Sequence, residues 1–223
     1  MSQFIVHSVP GSPYGRAVLA TLVEKGASFR LSAVVPGTLK VEPHTLRHPF
    51  GRVPVLDHDG FMLYETQAIV RYLDRVASGP ALTPTDAKAA ARMDQVMNVN
   101  DWYLFQGVAN VIAFQRIVGP RLLGLTTNEA ACAEAMPRGH AVFRELSRLL
   151  GSNSYFSGDR VTLADLMVAP QLDFFTETPE WAPLTADAPN LVAWLARMNE
   201  RASMKQTTAE RVAQMAAGTA QAA

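Results

Sequence analysis

Cysteine is almost absent from this chain, whose 223 residues include only Cys132. A single cysteine excludes an internal disulfide, and it also excludes a Cys-x-x-Cys redox pair. The Ala-rich helical stretch around Cys132 indicates a small residue, buried or on the surface, without chemistry. The chain therefore lacks the thiol pair on which disulfide reductases depend.

Net charge is also absent, since 20 Lys and Arg balance 20 Asp and Glu. This balance gives no electrostatic reason to expect nucleic acid or an anionic membrane as the main partner. The opening residues, MSQFIVHSVPG, lack the basic and apolar stretches of a secretory signal. No window approaches the roughly 18 uninterrupted apolar residues that span a bilayer. The sequence predicts a cytoplasmic protein.

Strand and helix signals alternate over the first eighty residues, and apolar residues make up 48% of the chain. Apolar runs and helical periodicity predict strands at 4–6, 29–35, 52–56 and 61–64, with helices at 16–25 and 65–76. Ser-Gly-Pro at 78–80 marks a boundary, after which long helical stretches replace the strands. We expect an α/β domain of order βαβ-ββα over residues 1–78 and an all-α domain over residues 86–223.

The turn Gly-Ser-Pro-Tyr-Gly-Arg at 11–16 carries the clearest chemical signal, because a strand feeds a helix there. Free N–H groups and the helix dipole favour negative charge at a helix start, so a thiolate placed there has a lowered pKa. One hydrogen bond from the Ser12 hydroxyl would lower that pKa by about one to two units more. Taken alone, the turn favours an ordinary N-cap role for Ser12.

Ser12-Pro13-Tyr14-Gly15 resembles the Cys-Pro-Tyr-Cys turn of glutaredoxins with both sulfurs replaced. The spacing Ser-x-x-Gly-Arg is similar to the active-site turn of serine-type glutathione transferases of the theta and phi kind. Further motifs match that family in order and spacing: Val53-Pro54, Glu65-Thr66 and the Thr162–Asp165 box. By resemblance, the chain is identified as a cytosolic glutathione S-transferase of bacterial origin, with a thioredoxin-like first domain and a helical second domain.

The resemblance assigns roles to residues of the first domain. It implies that Ser12 stabilises the glutathione thiolate. It implies that Val53, ahead of Pro54 in what resembles a fixed cis-proline site, pairs with the backbone of the cysteinyl part. Glu65 and Thr66 would hold the ammonium and carboxylate of the γ-glutamyl group, with Thr66 replacing the serine of the family.

The glycyl carboxylate of glutathione needs a positive partner, and the resemblance implies Lys40 and Arg52. This stretch departs from the family, since Leu39 stands where a His is common and Arg52 where a Gln is common. In the helical half, Trp102 and Phe105 recur at helical spacing. Together with Tyr14, they are expected to line the pocket for a small hydrophobic electrophile.

Two other groups of residues have structural interpretations. His44 and His48 are four apart, but no nearby carboxylate or cysteine completes a ligand set, so we expect no metal. Thr162 and Asp165 form a [Ser/Thr]-x-x-[Asp/Glu] capping box at a helix start. By resemblance this acid is buried and serves folding, and the loss of its cap would cost about 1–2 kcal/mol.

The leading hypothesis is a transferase in which glutathione, as co-substrate, attacks an electrophilic carbon or a peroxide oxygen. Three alternatives stay open: a glutathione-dependent isomerase or dehalogenase, a peroxidase, and a non-catalytic glutathione-binding scaffold. A homodimer is expected from the family alone.

Overall fold

The computed structural model describes residues 3–221, which form two compact units. The first unit contains the described residues up to Thr83 together with those from Glu200 onward, and the second unit is Pro84–Asn199. The boundary near residues 78–86 agrees with the sequence pattern. The end of the chain differs from the expectation, because the residues after Asn199 belong to the first unit and not to the helical one.

Within the described residues, the first unit has a sheet with the strand order β2-β1-β3-β4. Strands β1 and β2 are parallel, whereas β3 is antiparallel to both β1 and β4. The strands are β1 (Phe4–Ser8), β2 (Phe29–Ala33), β3 (Val55–His58) and β4 (Phe61–Tyr64). The helices of this part are α1 (Pro13–Glu24), α2 (His44–Arg47) and α3 (Thr66–Val76). This confirms the expected thioredoxin-like fold, with α2 inserted before β3.

A buried ion pair joins α1 to α3 at their carboxyl ends. Lys25 Nζ lies 3.1 Å from Asp74 Oδ1, and both side chains are buried. Asp74 also accepts the backbone N–H groups of Leu82 and Thr83, both at 2.9 Å. Although burial raises the pKa of Asp74, hydrogen bonds from Leu82, Thr83 and Lys25 hold it below its ordinary value. Asp74 therefore fixes the backbone of Leu82 and Thr83, the last residues of the first unit before Pro84.

The C-terminal segment packs on the first unit through α11 (Ala202–Gln206) and α12 (Ala209–Gln221). Glu24, at the end of α1, accepts two hydrogen bonds of 2.7 Å from Arg201 and one from Ser203 Oγ. Arg16, near the start of α1, donates to the Met204 carbonyl at 3.1 Å. These polar links, with the buried side chain of Met204, attach the segment along α1, which is why it leaves the helical unit.

The second unit is helical throughout its regular structure, and α8 is its most buried helix. The first long helical stretch of this unit is broken, because Gln106 and Gly107 have non-helical backbone angles and Gly107 has φ +81°. Among the described residues, no helix is long and apolar enough to cross a bilayer. The helices are α4 (Ala87–Val99), α5 (Asn110–Ala113), α6 (Gly119–Leu123), α7 (Glu129–Leu150), α8 (Leu163–Phe175), α9 (Trp181–Thr185) and α10 (Pro189–Asn199), with π-helical turns at Asn100–Ala109 and Phe114–Val118.

Candidate active site

Ser12 is the N-cap residue of α1. Its backbone is extended, and its hydroxyl oxygen accepts the Gly15 N–H at 3.1 Å. Pro13 occupies the first helical position, where a missing N–H costs nothing. A hydroxyl that accepts one hydrogen bond still has its own proton to donate. The capping role and the thiolate-stabilising role of Ser12 are therefore compatible, and the structure supports the first directly.

Gly15, where a glutaredoxin-like turn has its second cysteine, is buried against Ser8. A Cβ added at Gly15 would collide with Ser8 Oγ and would lie 3.3 Å from the Ser12 Cβ. Because Ser8 is fully buried, its side chain has little room to move away. Close packing of the turn on β1 thus explains the glycine.

We expect Gly15→Ala to lower the free energy of unfolding by about 1–3 kcal/mol through overpacking. Denaturant unfolding measures this loss, and adding Ser8→Ala should recover part of it because the colliding oxygen is removed. Gly37→Ala is the matched control, since a Cβ there meets no atom within 4 Å. A Gly15→Ala variant as stable as the Gly37→Ala variant would contradict this packing argument.

The sheet register brings the three predicted glutathione-binding motifs to the same end of the sheet. His7 pairs with Val55, and Val55 pairs with Tyr64. The residues one step beyond this row lead into the Ser12 turn, the Val53-Pro54 bond and Glu65-Thr66. Side chains and backbone groups more than forty residues apart in sequence therefore converge at the carboxyl end of β1.

The Val53–Pro54 peptide bond is cis, as the resemblance predicted. Pro54 is buried and Val53 is half-buried. Since β3 begins at Val55, the backbone of Val53 lies just outside the ladder of the sheet. A peptide ligand is able to pair with backbone groups in such a position.

Glu65 has an unusual backbone conformation, with φ +70° and ψ 114°, at the junction between β4 and α3. Positive φ is unfavourable for residues other than glycine and is often found at ligand-binding sites. Thr66, which follows it, is the first residue of α3 and is buried. The first N–H groups of a helix have no partner within the helix, so this junction is suited to a carboxylate.

Lys40 and Arg52 are both exposed, and local packing places their backbones near one another. Gly51 has φ +60°, and a Cβ there would lie 2.7 Å from the Leu39 carbonyl oxygen and 3.1 Å from Lys40 Cγ. The segment ending in Lys40 thus lies directly against the residue preceding Arg52. Two exposed cations, Lys40 and Arg52, therefore lie beside this turn.

His44 and His48 hold this region in place. His44 Nε2 lies 2.8 Å from the Arg52 carbonyl oxygen, and the His48 ring packs on Tyr64 with ring centroids 4.7 Å apart. Both histidines are buried. The described part of the chain contains no group of three or more His, Cys, Asp or Glu side chains able to hold a metal. The two histidines therefore support the loop that carries Arg52.

The predicted electrophile-pocket residues have different environments. Tyr14 is half-buried in the first turn of α1. Trp102 is 66% exposed and Phe105 is half-buried, both in the π-helical stretch before the break at Gly107. Trp102 and its neighbour Tyr103 are thus exposed aromatic side chains of the second unit.

Asp165 is fully buried near the start of α8 and accepts four hydrogen bonds. Its donors are the N–H groups of Phe156 and Thr162, the Thr162 hydroxyl and Trp194 Nε1, at 2.8–3.0 Å. Burial raises the pKa of Asp165, and the four donors oppose that rise. The sequence predicted the buried cap, but it missed Trp194, which is 29 residues away.

Acidification should destabilise the protein through His7. Burial, followed by the nearby Arg47, lowers the pKa of His7 from 6.5 to about 4. The unfolded chain therefore takes up this proton near pH 6.5, whereas the folded chain does so only near pH 4. The free energy of unfolding falls as the pH drops through this window, by about 2–3 kcal/mol.

Urea unfolding at pH 7 and at pH 4.5 measures this effect. His7→Leu should make the loss smaller, whereas His140→Asn, at an exposed position on α7, should leave it unchanged. Some pH dependence will persist in His7→Leu, because burial also lowers the pKa of His48. Equal losses in the wild type and in His7→Leu would show that His7 does not carry the effect.

Comparison with known proteins identifies the family. Residues 6–81 match the family described as "Glutathione S-transferase, N-terminal domain", and residues 108–202 match "Glutathione S-transferase, C-terminal domain". A glutathione S-transferase of Hyoscyamus muticus is 33% identical over 195 residues, which cover 86% of this chain and 91% of that protein. Glutathione S-transferase F7 of Arabidopsis thaliana is 29% identical over 92% of this chain and 99% of its own.

Solved structures agree with the sequence comparisons. Glutathione transferase F7 from Populus trichocarpa has a TM-score of 0.83 and 26% identity, covering 96% of this chain and 99% of its own. Glutathione S-transferase-I bound with the ligand lactoylglutathione has a TM-score of 0.79 and 26% identity, covering 96% and 98%. The fold is therefore that of a thioredoxin-like unit followed by a helical unit, and the candidate site lies on the first of them. The chain belongs to the glutathione S-transferase family.

Proposed function

We propose that this protein transfers glutathione to small hydrophobic electrophiles and that the Ser12 hydroxyl keeps the glutathione sulfur ionised. The observation that carries the proposal is the position of Ser12. Its hydroxyl oxygen caps α1, and the hydroxyl proton can still be donated to a sulfur at this end of the sheet. A thiolate at this helix start gains the hydrogen bond and the field of the helix dipole. Both effects favour the thiolate over the thiol at neutral pH.

In this proposal glutathione lies across the end of the sheet, with its γ-glutamyl group at one side and its glycyl group at the other. The γ-glutamyl end, which has an ammonium and a carboxylate on one carbon, suits Glu65 and Thr66. The cysteinyl part pairs with the backbone of Val53 before Pro54, and this places its sulfur towards Ser12. The glycyl carboxylate then meets the cations Lys40 and Arg52. Each charge of the tripeptide has an opposite or hydrogen-bonding partner in this arrangement.

We assign Tyr14, Trp102 and Phe105 to recognition of the electrophile, because aromatic side chains bind apolar substrates well. We also propose a serine-type enzyme that works as a cytoplasmic homodimer. The relatives named above are plant proteins, so they give no support to the expected bacterial origin or to a theta-like type.

Ultraviolet titration of bound glutathione tests the proposed function, because thiolate and thiol differ in absorbance. We expect the thiol of bound glutathione to titrate near pH 6.5–7.5, about one to two units below an ordinary thiol, which titrates near 8.5. Binding without a thiolate signal at neutral pH would instead identify a non-catalytic scaffold. Product analysis with a model aryl halide, a peroxide and an isomerisable substrate then separates conjugation from the related reactions.

A further inference from the structure

A basic cavity of about 430 Å³ lies in the second unit, between the start of α4, the end of α7 and the loop before α8. Three cationic side chains line it, those of Lys88, Arg92 and Arg148. Its volume lies within the range of small-molecule sites. None of the residues that line this cavity has a role in the proposed reaction.

Lys88 lies at a position where the helix dipole makes a positive charge unfavourable. Lys88 lies in the first turn of α4, where the helix dipole is already positive, and that turn contains no acidic residue. Arg92 follows four residues later on the same face, so that two like charges are neighbours. In the described residues Lys88 has no hydrogen-bond or ion-pair partner. An anion in the cavity would relieve both conflicts at once.

The nearby carboxylates neutralise this cluster only in part. Asp86 uses its Oδ1 to cap α4 through the Ala89 N–H at 2.9 Å. Glu145 is paired with Arg148 in two hydrogen bonds of 2.7 and 2.8 Å. Arg92 donates a hydrogen bond to the neutral side chain of Gln95. The hydrogen bonds from Arg148 and, to a smaller extent, the charge of Arg92 lower the pKa of Glu145. Arg92 and Arg148 therefore share one carboxylate, whereas Lys88 has no ion-pair partner in the described part of the chain.

The floor of the cavity is fixed and partly apolar. Leu149 and Phe156 line it and are buried, and the Phe156 N–H is held by Asp165. Ser157 also lines the cavity, and its Oγ has no hydrogen-bond partner among the residues described. Guanidinium groups bind the oxygens of phosphate and sulfate esters in a bidentate manner. Apolar walls beside them suit the organic part of such an ester.

We propose that this cavity is a binding site for an aryl or alkyl phosphate or sulfate monoester. Lys88 and Arg92 bind the anionic group, and Leu149 and Phe156 contact the organic part. None of these residues belongs to the proposed glutathione site, and all of them lie in the second unit.

Calorimetric titration of the whole protein with phenyl phosphate, phenyl sulfate and inorganic phosphate in a low-salt chloride buffer tests the proposal. We expect one of the two esters to bind at least tenfold more tightly than inorganic phosphate. Lys88→Gln and Arg92→Gln should each weaken that binding about tenfold or more while leaving glutathione binding unchanged. Arg211→Gln is the matched control, because Arg211 is also an exposed helical arginine that donates to a glutamine three residues on.

Thermal unfolding provides a second measurement that a purely structural role would not reproduce. Without ligand, Lys88→Gln should be at least as stable as the wild type, because it removes a charge opposed by the helix dipole. With phenyl phosphate, the wild type should be stabilised and Lys88→Gln should not. Equal binding by Arg92→Gln and the wild type, or equal weakening by Arg211→Gln, would overturn the proposal.

Discussion

Ser12→Ala should lower the rate of glutathione conjugation at pH 6.5–7 by about 10- to 100-fold. The hydroxyl contributes about one to two units to the lowering of the thiol pKa, and each unit corresponds to a tenfold change in the ratio of thiolate to thiol. The pH–rate profile should shift upward by the same amount. At pH 9 the two enzymes should therefore approach one another, because the thiol ionises without help.

The N-cap role of Ser12 has to be separated from this chemical role. Ser12→Ala also removes the cap of α1 at a cost of about 1 kcal/mol, whereas glycine at an N-cap costs only a few tenths. Ser12→Gly should thus lose as much activity as Ser12→Ala while keeping most of the stability. Ser12→Thr, which keeps a hydroxyl, should retain activity.

Two results would count against the mechanism. A loss of activity in Ser12→Gly that is the same at every pH would show that the hydroxyl does not act on the thiol pKa. A Ser12→Thr variant as inactive as Ser12→Ala would show that shape, and not the donor, matters. In addition, Ser12→Cys should create thiol–disulfide exchange, because a cysteine at this helix start has a lowered pKa.

Asp165→Ala should lower the free energy of unfolding by about 3–5 kcal/mol, more than capping alone would predict. The substitution removes the acceptor of four hydrogen bonds in a fully buried environment. The Trp194 N–H and two backbone N–H groups would be left buried and unpaired, at about 1–3 kcal/mol each before relaxation. Denaturant unfolding of the purified variant measures the loss.

Two variants show which part of this network matters. Trp194→Phe removes one donor but keeps an aromatic ring against Phe156, so it should cost less than Asp165→Ala. Asp159→Ala, in the same loop but exposed, should change stability by less than about 0.5 kcal/mol. An Asp165→Ala variant that unfolds at the wild-type denaturant concentration would refute this account.

The order of elements in the first unit could be predicted because strand and helix periodicities are local properties of the sequence. Short apolar runs bounded by turns mark β1 and β3. The boundaries were less exact, because α1 begins at Pro13 and not at residue 16, and β3 begins at Val55 and not at residue 52. The break at Gly107 was not predicted, since an isolated glycine is tolerated in many helices. In the structure Gly107 has φ +81°, and the Asn110 side chain accepts its N–H at 2.7 Å.

By itself, the sequence determined the thioredoxin-like order of strands and helices, the capping serine and the absence of a cysteine pair. It also indicated the cis bond before Pro54 and the buried acid of α8. Tertiary structure alone decided that residues after Asn199 return to the first unit, that Trp194 holds Asp165, and that Lys88 and Arg92 share a cavity with Arg148. The physical reason is that caps and periodicities depend on residues a few positions apart. Ion pairs, strand register and cavities join residues whose separation in sequence carries no signal.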